Sequence, residues 1–198
     1  MMIRVGALLS ESFANGPGCR SVLWVQGCSR HCPGCWNPAL LSHFDGIEMT
    51  IQEVFNKLTV SNNIEGVTLL GGEPFEQAAA LVELGKKIKD KNLTIMAYSG
   101  WTLEELKEKD EDCRQLLELC DILIDGQYLR TLAASLPWRG STNQEVHFIT
   151  SKYRHLRPTI NNYNRDFEVM IIGNQLVITG DPPPQIIDSL ENKLGLKR

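Results

Sequence analysis

Apolar runs of strand length alternate with apolar stripes of helical spacing along most of this chain. Ile3 to Leu9 predicts a first strand and Ser21 to Gln26 (SVLWVQ) a second. Asn15 to Arg20 (NGPGCR) between them is a glycine- and proline-rich loop. Thr50-Ile51-Gln52-Glu53 has the form of a capping box, and Ile51, Val54, Phe55 and Leu58 recur behind it at helical spacing. Gly66 to Leu70 (GVTLL) predicts a buried strand. A long helix follows over about residues 75–90, with Ala78, Leu81, Val82 and Leu84 as its apolar stripe. Leu93 to Tyr98 is another strand, Thr102-Leu103-Glu104-Glu105 a second capping box, Asp112 to Leu119 a further helical piece, and Asp121 to Asp125 a further strand.

Strand, helix, strand, helix, strand predicts parallel α/β architecture. Each of these strands ends in a small or polar cluster: GGEP from Gly71, SGW from Ser99 and DGQY from Asp125. Parallel α/β folds bind their ligands beyond the carboxyl ends of the strands, so these clusters are expected to face one site. Five or six strands are too few for a closed eight-unit barrel of about 250 residues, and a partial, open parallel β/α barrel fits the length. From Leu136 the chain reads LPWRGSTNQEVHF and ends in an apparent strand, and residues 157–165 are polar and irregular. Glu168 to Ile172 and Gln175 to Thr179 predict a hairpin around Gly173-Asn174, and Pro182 to Pro184 lead into a final amphipathic helix with Ile186, Ile187, Leu190 and Leu194 as its apolar face. The expected organisation is one domain, with a core over residues 1–147 and an extension over 148–198 packed on it. Phe167, Val169, Ile171, Val177 and Ile178 supply an apolar surface that is expected to be buried by extending the sheet at the barrel edge.

Composition narrows the classes. Among 198 residues, 42% are hydrophobic and 22% charged, as in soluble globular domains. The net charge of -4 speaks against a protein held to nucleic acid by phosphate contacts. No apolar stretch approaches the roughly 20 residues that span a bilayer. Six cysteines without a recognisable signal segment point to a reducing, cytoplasmic setting.

The chemistry concentrates between Gly27 and Pro38, which read GCSRHCPGCWNP. Cys28, Cys32 and Cys35 stand in a C-x3-C-x2-C arrangement, close enough to converge on one inorganic centre if the backbone curls around it. Gly27, Pro33 and Gly34 suit such a curl. Iron–sulfur cubes usually take four cysteine ligands, so three leave one iron open to a small molecule. The loop alone also allows a zinc site completed by His31 or His43. Cys19, Cys113 and Cys120 lie outside this spacing and read as packing residues.

NGPGCR, the QGC-SRHC-PGCWN loop, LLGGEP, YSGW, DILIDGQY and LPWRGSTNQ run in that order from Asn15 to about His147. Any one is a weak signal. In sequence, at these spacings, they resemble the radical S-adenosylmethionine superfamily, and within it the activating enzymes of anaerobic ribonucleotide reductases. Many superfamily members carry an aromatic residue before the third cysteine. Here that position is Gly34, and the aromatic follows as Trp36. The compact activating enzymes also end near the position of His147, whereas this chain continues.

The resemblance implies a [4Fe-4S] cluster on Cys28, Cys32 and Cys35, with S-adenosylmethionine chelated to the open iron through its amino and carboxylate groups. Reductive cleavage there yields a 5′-deoxyadenosyl radical. Gly71 and Gly72 are expected to admit the methionine part, with Glu73 or nearby carbonyls accepting from its ammonium. Gly34, Cys35 and Trp36 are expected on the adenosine side, Asn37 near the cluster, and Ser99 and Gly100 near the ribose. Asp125 and Arg139 are further candidates for cofactor contact. The implied partners are a large glycyl radical enzyme, by resemblance anaerobic ribonucleoside-triphosphate reductase, and a flavodoxin-like electron donor; nucleic acid and membrane are not expected. Two rivals stand beside this reading. One is a radical enzyme that modifies a peptide or small molecule directly, and the other is a non-catalytic zinc or iron–sulfur binding module.

Overall fold

A computed structural model describes residues 1–163, 166–172, 175–183, 186, 189–190 and 193. The strands are β1 (Met2–Ser12), β2 (Arg20–Val25), β3 (Ile47–Thr50), β4 (Gly66–Gly71), β5 (Thr94–Tyr98), β6 (Ile122–Asp125), β7 (Ala133–Leu136), β8 (Arg139–Ser141), β9 (Glu145–Phe148), β10 (Phe167–Ile172) and β11 (Gln175–Gly180). The helices are α1 (Ile51–Leu58), α2 (Ala78–Asp90), α3 (Leu103–Glu108) and α4 (Glu111–Leu119). Both capping boxes form: the Thr50 and Thr102 side chains accept from the N–H of Glu53 and Glu105, whose carboxylates accept back from the cap residues. A 3-10 turn over Pro74–Gln77 precedes α2, so the helix expected from residue 75 starts later.

Seven strands form one sheet in the order β3-β1-β2-β4-β5-β6-β9. The central strands β2, β4, β5 and β6 are parallel, as the alternation with helices predicts. Both flanks are antiparallel: β1 runs against β2 and β3, and β9 against β6. The sheet is therefore mixed. β9 follows β6 through a short hairpin excursion and has no crossover helix to return it parallel.

The two faces are covered differently. Leu23, Val25, Val67, Leu69, Ile95, Ala97 and Leu123 point to the helices and form the main core with Val54, Leu58, Leu81, Leu84, Ile88 and Leu116. The alternate residues point the other way, to the face opposite α1, α2 and α4. Tyr153, Leu156 and Ile160 cover Met96, Ile122 and Ile124 there, while Met170 and Val177 cover Leu9, Val22 and Trp24.

The expectation that the C-terminal hairpin extends the sheet is therefore corrected. β10 and β11 pair only with each other among the described residues and lie across the face opposite α1, α2 and α4. Glu168 on β10 accepts from the Phe13 N–H at 3.0 Å, and Thr179 on β11 accepts from Asn15 Nδ2 at 2.8 Å. Strand alternation explains the rest. With Glu168 and Met170 facing inward, Phe167, Val169 and Ile171 face outward, and Ile171 is 78% exposed rather than buried. The hairpin turn Gly173-Asn174 and most of the expected final helix, including Ile187 and Leu194, lie outside the described residues.

Arg20, the first residue of β2, is fully enclosed on this face, at 0% exposure. Its guanidinium donates to Thr68 Oγ1 at 2.8 Å, Thr94 Oγ1 at 3.0 Å and the Val67 carbonyl at 2.8 Å. The Tyr153 hydroxyl joins this network through Thr94 at 2.9 Å and also bonds Glu65. Removing the donors strands buried acceptors. Arg20→Met should lower stability by about 3 kcal/mol, or roughly 10 °C in Tm for a chain of this size, in thermal unfolding. A shift of under about 2 °C would show that the network contributes nothing net.

Candidate active site

Because β2, β4, β5 and β6 are parallel, their carboxyl ends share one edge, and backbone bonds tie these ends together. The cysteine loop leaves β2 with Gly27 at φ +97°, a conformation that favours glycine. The loop is anchored by Gly27 N–H to the Leu40 carbonyl at 2.9 Å and Cys28 N–H to Leu41 at 3.1 Å. Gly34 at φ +77° turns the chain between Cys32 and Cys35, and the Cys35 N–H closes this turn on the Cys32 carbonyl at 3.0 Å.

Cys28 is buried, while Cys32 and Cys35 are half-buried, so the loop presents its thiols from within outward. Burial pushes the Cys28 thiol up to about 11, with Glu73, Glu76 and Cys32 adding to the rise. Cys35 is raised by burial and by Cys32. Both thiols thus feel Cys32, the third cysteine of the same loop, as a lesser contribution beside burial. The Asn37 N–H donates to Cys35 Sγ at 3.4 Å, a bond that stabilises a thiolate. Among the described residues no group of three or more His, Cys, Asp or Glu is placed to hold a single metal ion. His43, a candidate fourth zinc ligand from sequence, bonds Glu76 Oε2 at 2.8 Å behind the loop, and His31 is exposed at φ +44°. Three cysteine thiols on one loop are donors of the kind an iron–sulfur cube takes.

The GGEP cluster follows β4 beside this loop. A Cβ on Gly72 would stand 2.1 Å from the Gly27 carbonyl oxygen, and one on Gly71 would stand 2.7 Å from the Trp24 Cα. On the Cβ side, the space these glycines leave is filled by the backbone that launches the cysteine loop. Glu73 N–H seals the junction on the Gly27 carbonyl at 2.8 Å. The Glu73 side chain is 1% exposed and spans to β5. Its Oε1 accepts from the Phe75 N–H and the Ser99 hydroxyl at 3.0 Å each, and Oε2 accepts from the Gly100 N–H at 2.7 Å. Burial without a cationic partner raises its carboxyl to about 7. Oε2 retains an acceptor position.

At the β5 and β6 ends, Ser99 N–H donates to the Ile124 carbonyl and Gly126 N–H to the Trp101 carbonyl. Asp125 is buried. It accepts from the Leu103 N–H at 2.6 Å and lies 2.9 Å from His147 Nε2, and these partners hold its carboxyl low despite burial. Arg139, on β8, donates to Asn161 Oδ1 at 2.7 Å. Trp36 is 44% exposed, and its indole nitrogen lies 3.3 Å from the point a Cβ on Gly140 would occupy. The structure thus gathers Cys28, Cys32, Cys35, Gly71, Gly72, Glu73, Ser99 and Asp125 at one edge, with Gly34, Trp36 and Asn37 on the outer turn. Arg139 is turned toward the extension.

Arg30, Trp101 and Ser29 had no assigned role. The Arg30 guanidinium stacks on Trp101 at 4.2 Å, and its carbonyl accepts from Gln127 at 3.4 Å, so the loop is latched to the β5 and β6 ends. Ser29 latches it on the opposite side, donating through N–H and hydroxyl to Glu76. The sequence signal for Ser29 and Arg30 was position, since both lie between Cys28 and Cys32. A cleft of about 610 Å³ lined by Arg4, Gln26, Gly27, His43, Glu76 and Lys109 opens beside the base of the loop. Cys113 and Cys120 are buried, donate to the Phe75 and Leu116 carbonyls, and are both raised to about 12. With buried Cys19 they are core thiols, as read from sequence.

A loop of three coupled thiols beside a glycine-sealed strand edge defines a protein of the single-cluster iron–sulfur class. Residues 14–147 match the 4Fe-4S single cluster domain family, and the chain belongs to it. Particular relatives carry a more specific name. The chain is 34% identical over 143 residues to the anaerobic ribonucleoside-triphosphate reductase-activating protein of Enterobacteria phage T4, covering 68% of this chain and 86% of that one. Proteins of the same name from Vibrio cholerae serotype O1 and Escherichia coli strain K12 are 36% and 32% identical over 146 and 144 residues; these matches span 69% and 68% of this chain and 92% of each relative. No helix among the described residues is long and apolar enough to cross a membrane.

Proposed function

We propose that this protein is a radical S-adenosylmethionine activating enzyme that generates a glycyl radical on anaerobic ribonucleoside-triphosphate reductase. It would work in the cytoplasm with a flavodoxin-like electron donor. The observation that carries the reading is the meeting, at one edge of four parallel strands, of the three-cysteine loop and the GGEP, SGW and DGQY ends. The shared name of the relatives supports the choice of partner. The open edges of the seven-stranded sheet are what a partial barrel requires, and the end of the family match at residue 147 supports a core over 1–147 with an extension over 148–198.

In this reading Cys28, Cys32 and Cys35 hold a [4Fe-4S] cluster, which together with bound S-adenosylmethionine supplies reductive carbon–sulfur cleavage and hydrogen abstraction. The chain's own residues prepare that chemistry. The Cys28 thiol, raised to about 11, must shed its proton when metal loads, so loading releases protons and is favoured by higher pH. The Asn37 N–H steadies the Cys35 sulfur. The free acceptor position on Glu73 Oε2 suits an ammonium, and that cation would keep the carboxylate ionised at neutral pH. Latches through Ser29 and Arg30 hold the loop against recoil as the ligands bind.

The test is electron paramagnetic resonance on the reconstituted protein mixed with anaerobic reductase, S-adenosylmethionine and reductant. A doublet that vanishes when the reductase glycine is replaced by alanine is the expected result. One observation favours a second reading: the extension packs on the sheet face opposite α1, α2 and α4 instead of extending the sheet. S-adenosylmethionine cleavage with no radical on any such reductase would favour direct modification of a peptide or small molecule.

A further inference from the structure

The family match stops at residue 147, yet the chain beyond it reaches the cysteine loop through an unbroken series of contacts. The series begins at Tyr153, whose hydroxyl is bound into the buried network of Thr94 and Glu65. A run of 3-10 turns follows over Arg154–Asn162, with Leu156 and Ile160 packed on the sheet. At its far end Asn161 accepts from Arg139 at 2.7 Å, and the Tyr163 ring stands 4.8 Å from the Trp138 ring at an angle of 57°. Trp138 and Arg139 belong to the β7–β8 hairpin. Gly140 of that hairpin faces both the Tyr128 ring and the Trp36 indole next to Cys35 in the chain: a Cβ there would stand 3.1 Å from Tyr128 Cδ2 and 3.3 Å from Trp36 Nε1.

A second, independent feature marks the same place. Leu136 pairs with Arg139, so Pro137 and Trp138 form a two-residue turn, and Trp138 sits at φ +61°. Proline suits the first position of such a turn, but the second calls for glycine or asparagine. A tryptophan held there is strained and persists only where its surroundings dictate it. Tyr163 is the aromatic partner the extension supplies to it.

We propose that residues 153–163 are a strap that holds the β7–β8 hairpin against Trp36, and that Asn161 and Tyr163 are positioning residues for the adenosine side of the site. They touch neither cluster nor cofactor. They set the height of the wall against which the adenosine group would lie, through Arg139 and Trp138 on one side and Gly140 and Trp36 on the other. The cofactor named here rests on the proposed function; the clamping of the hairpin does not.

The experiment therefore has two arms. In the first, amide hydrogen exchange is followed on metal-free protein carrying Asn161→Ala and Tyr163→Ala together. The Thr142 amide, bonded to the Leu132 carbonyl at 2.9 Å across the base of the hairpin, should exchange about tenfold faster, with amides of β4, β5 and β6 unchanged. In the second, the same variant is reconstituted and its affinity for S-adenosylmethionine measured. Binding should weaken about fivefold or more while iron content stays at the wild-type level. Tyr163→Phe, which keeps the ring, should behave as wild type in both arms. Unchanged exchange at Thr142 would overturn the strap, as would equal acceleration throughout the core strands, which would reduce it to a support of the fold. Normal affinity in a variant whose hairpin is loosened would overturn the positioning role. If wild-type protein itself bound no S-adenosylmethionine, the proposed function would fail, and the exchange arm would still decide the strap.

Discussion

Cys28→Ala, Cys32→Ala and Cys35→Ala should each abolish cluster assembly, whereas Cys19→Ala, Cys113→Ala and Cys120→Ala should leave it intact. The expected readout after anaerobic reconstitution is a fall from about four iron and four sulfide per chain to background in the first set only. The physical reason is placement. The first three thiols share one loop, and Cys32 acts electrostatically on both of the others. Cys113 and Cys120 are committed to backbone carbonyls in the core, where burial holds their thiols at about 12. Removing a buried thiol from that core costs stability of roughly 1 kcal/mol, not metal. Loss of iron in Cys19→Ala as complete as in Cys28→Ala would show that the ligand set is wrong. S-adenosylmethionine cleavage should follow iron content in all six variants.

Gly72→Val should disrupt the site more deeply than a block at a cofactor contact would. If Gly72 only admitted the methionine group, the variant would bind cofactor weakly and hold its cluster normally. The structure points elsewhere, because the added Cβ would stand 2.1 Å from the Gly27 carbonyl oxygen, and that atom is backbone rather than a flexible side-chain tip. Gly27 must move, and Cys28 is the next residue. The displacement also breaks the Glu73 N–H bond to the Gly27 carbonyl, which joins the ends of β2 and β4. Overpacking of this kind costs about 1–3 kcal/mol, and the strain falls on the loop that carries all three thiols. The expected result is a loss of at least about half the iron on reconstitution, with affinity for S-adenosylmethionine down at least about tenfold, equivalent to about 1.4 kcal/mol. Full iron content with weakened cofactor binding would restore Gly72 to the role of a simple contact.

Local signals in the sequence were read well because they depend on neighbours along the chain. The capping boxes at Thr50 and Thr102, the helix over Ile51–Leu58, the parallel strands and the two strands of the C-terminal hairpin all follow from spacing within a few residues. The short strands β3, β7 and β8 were missed, since three or four residues carry too little periodicity to stand out from loop. The antiparallel direction of β9 was missed as well, because direction is set by how a connection returns in space.

The same division runs through the site. That Cys28, Cys32 and Cys35 share one loop is a matter of spacing, and the sequence alone determined it. That β2, β4, β5 and β6 deliver their polar ends to one edge follows from the βαβ pattern, so the grouping of the GGEP, SGW and DGQY ends was also legible. What each residue there does was decided only in three dimensions. Glu73 bridges two strands, Gly72 packs on Gly27, Asp125 pairs with His147, and Arg30 stacks on Trp101. The course of the extension was likewise decided there. Its strands are written in its alternation, but either face of such a hairpin is apolar enough to be buried. Glu168 finding Ser12 and Phe13, and Thr179 finding Asn15, selected the inward face and left Phe167, Val169 and Ile171 outside. These partners lie some 155 residues or more away along the chain, a separation across which no local pattern carries information and only the folded sheet brings the groups into contact.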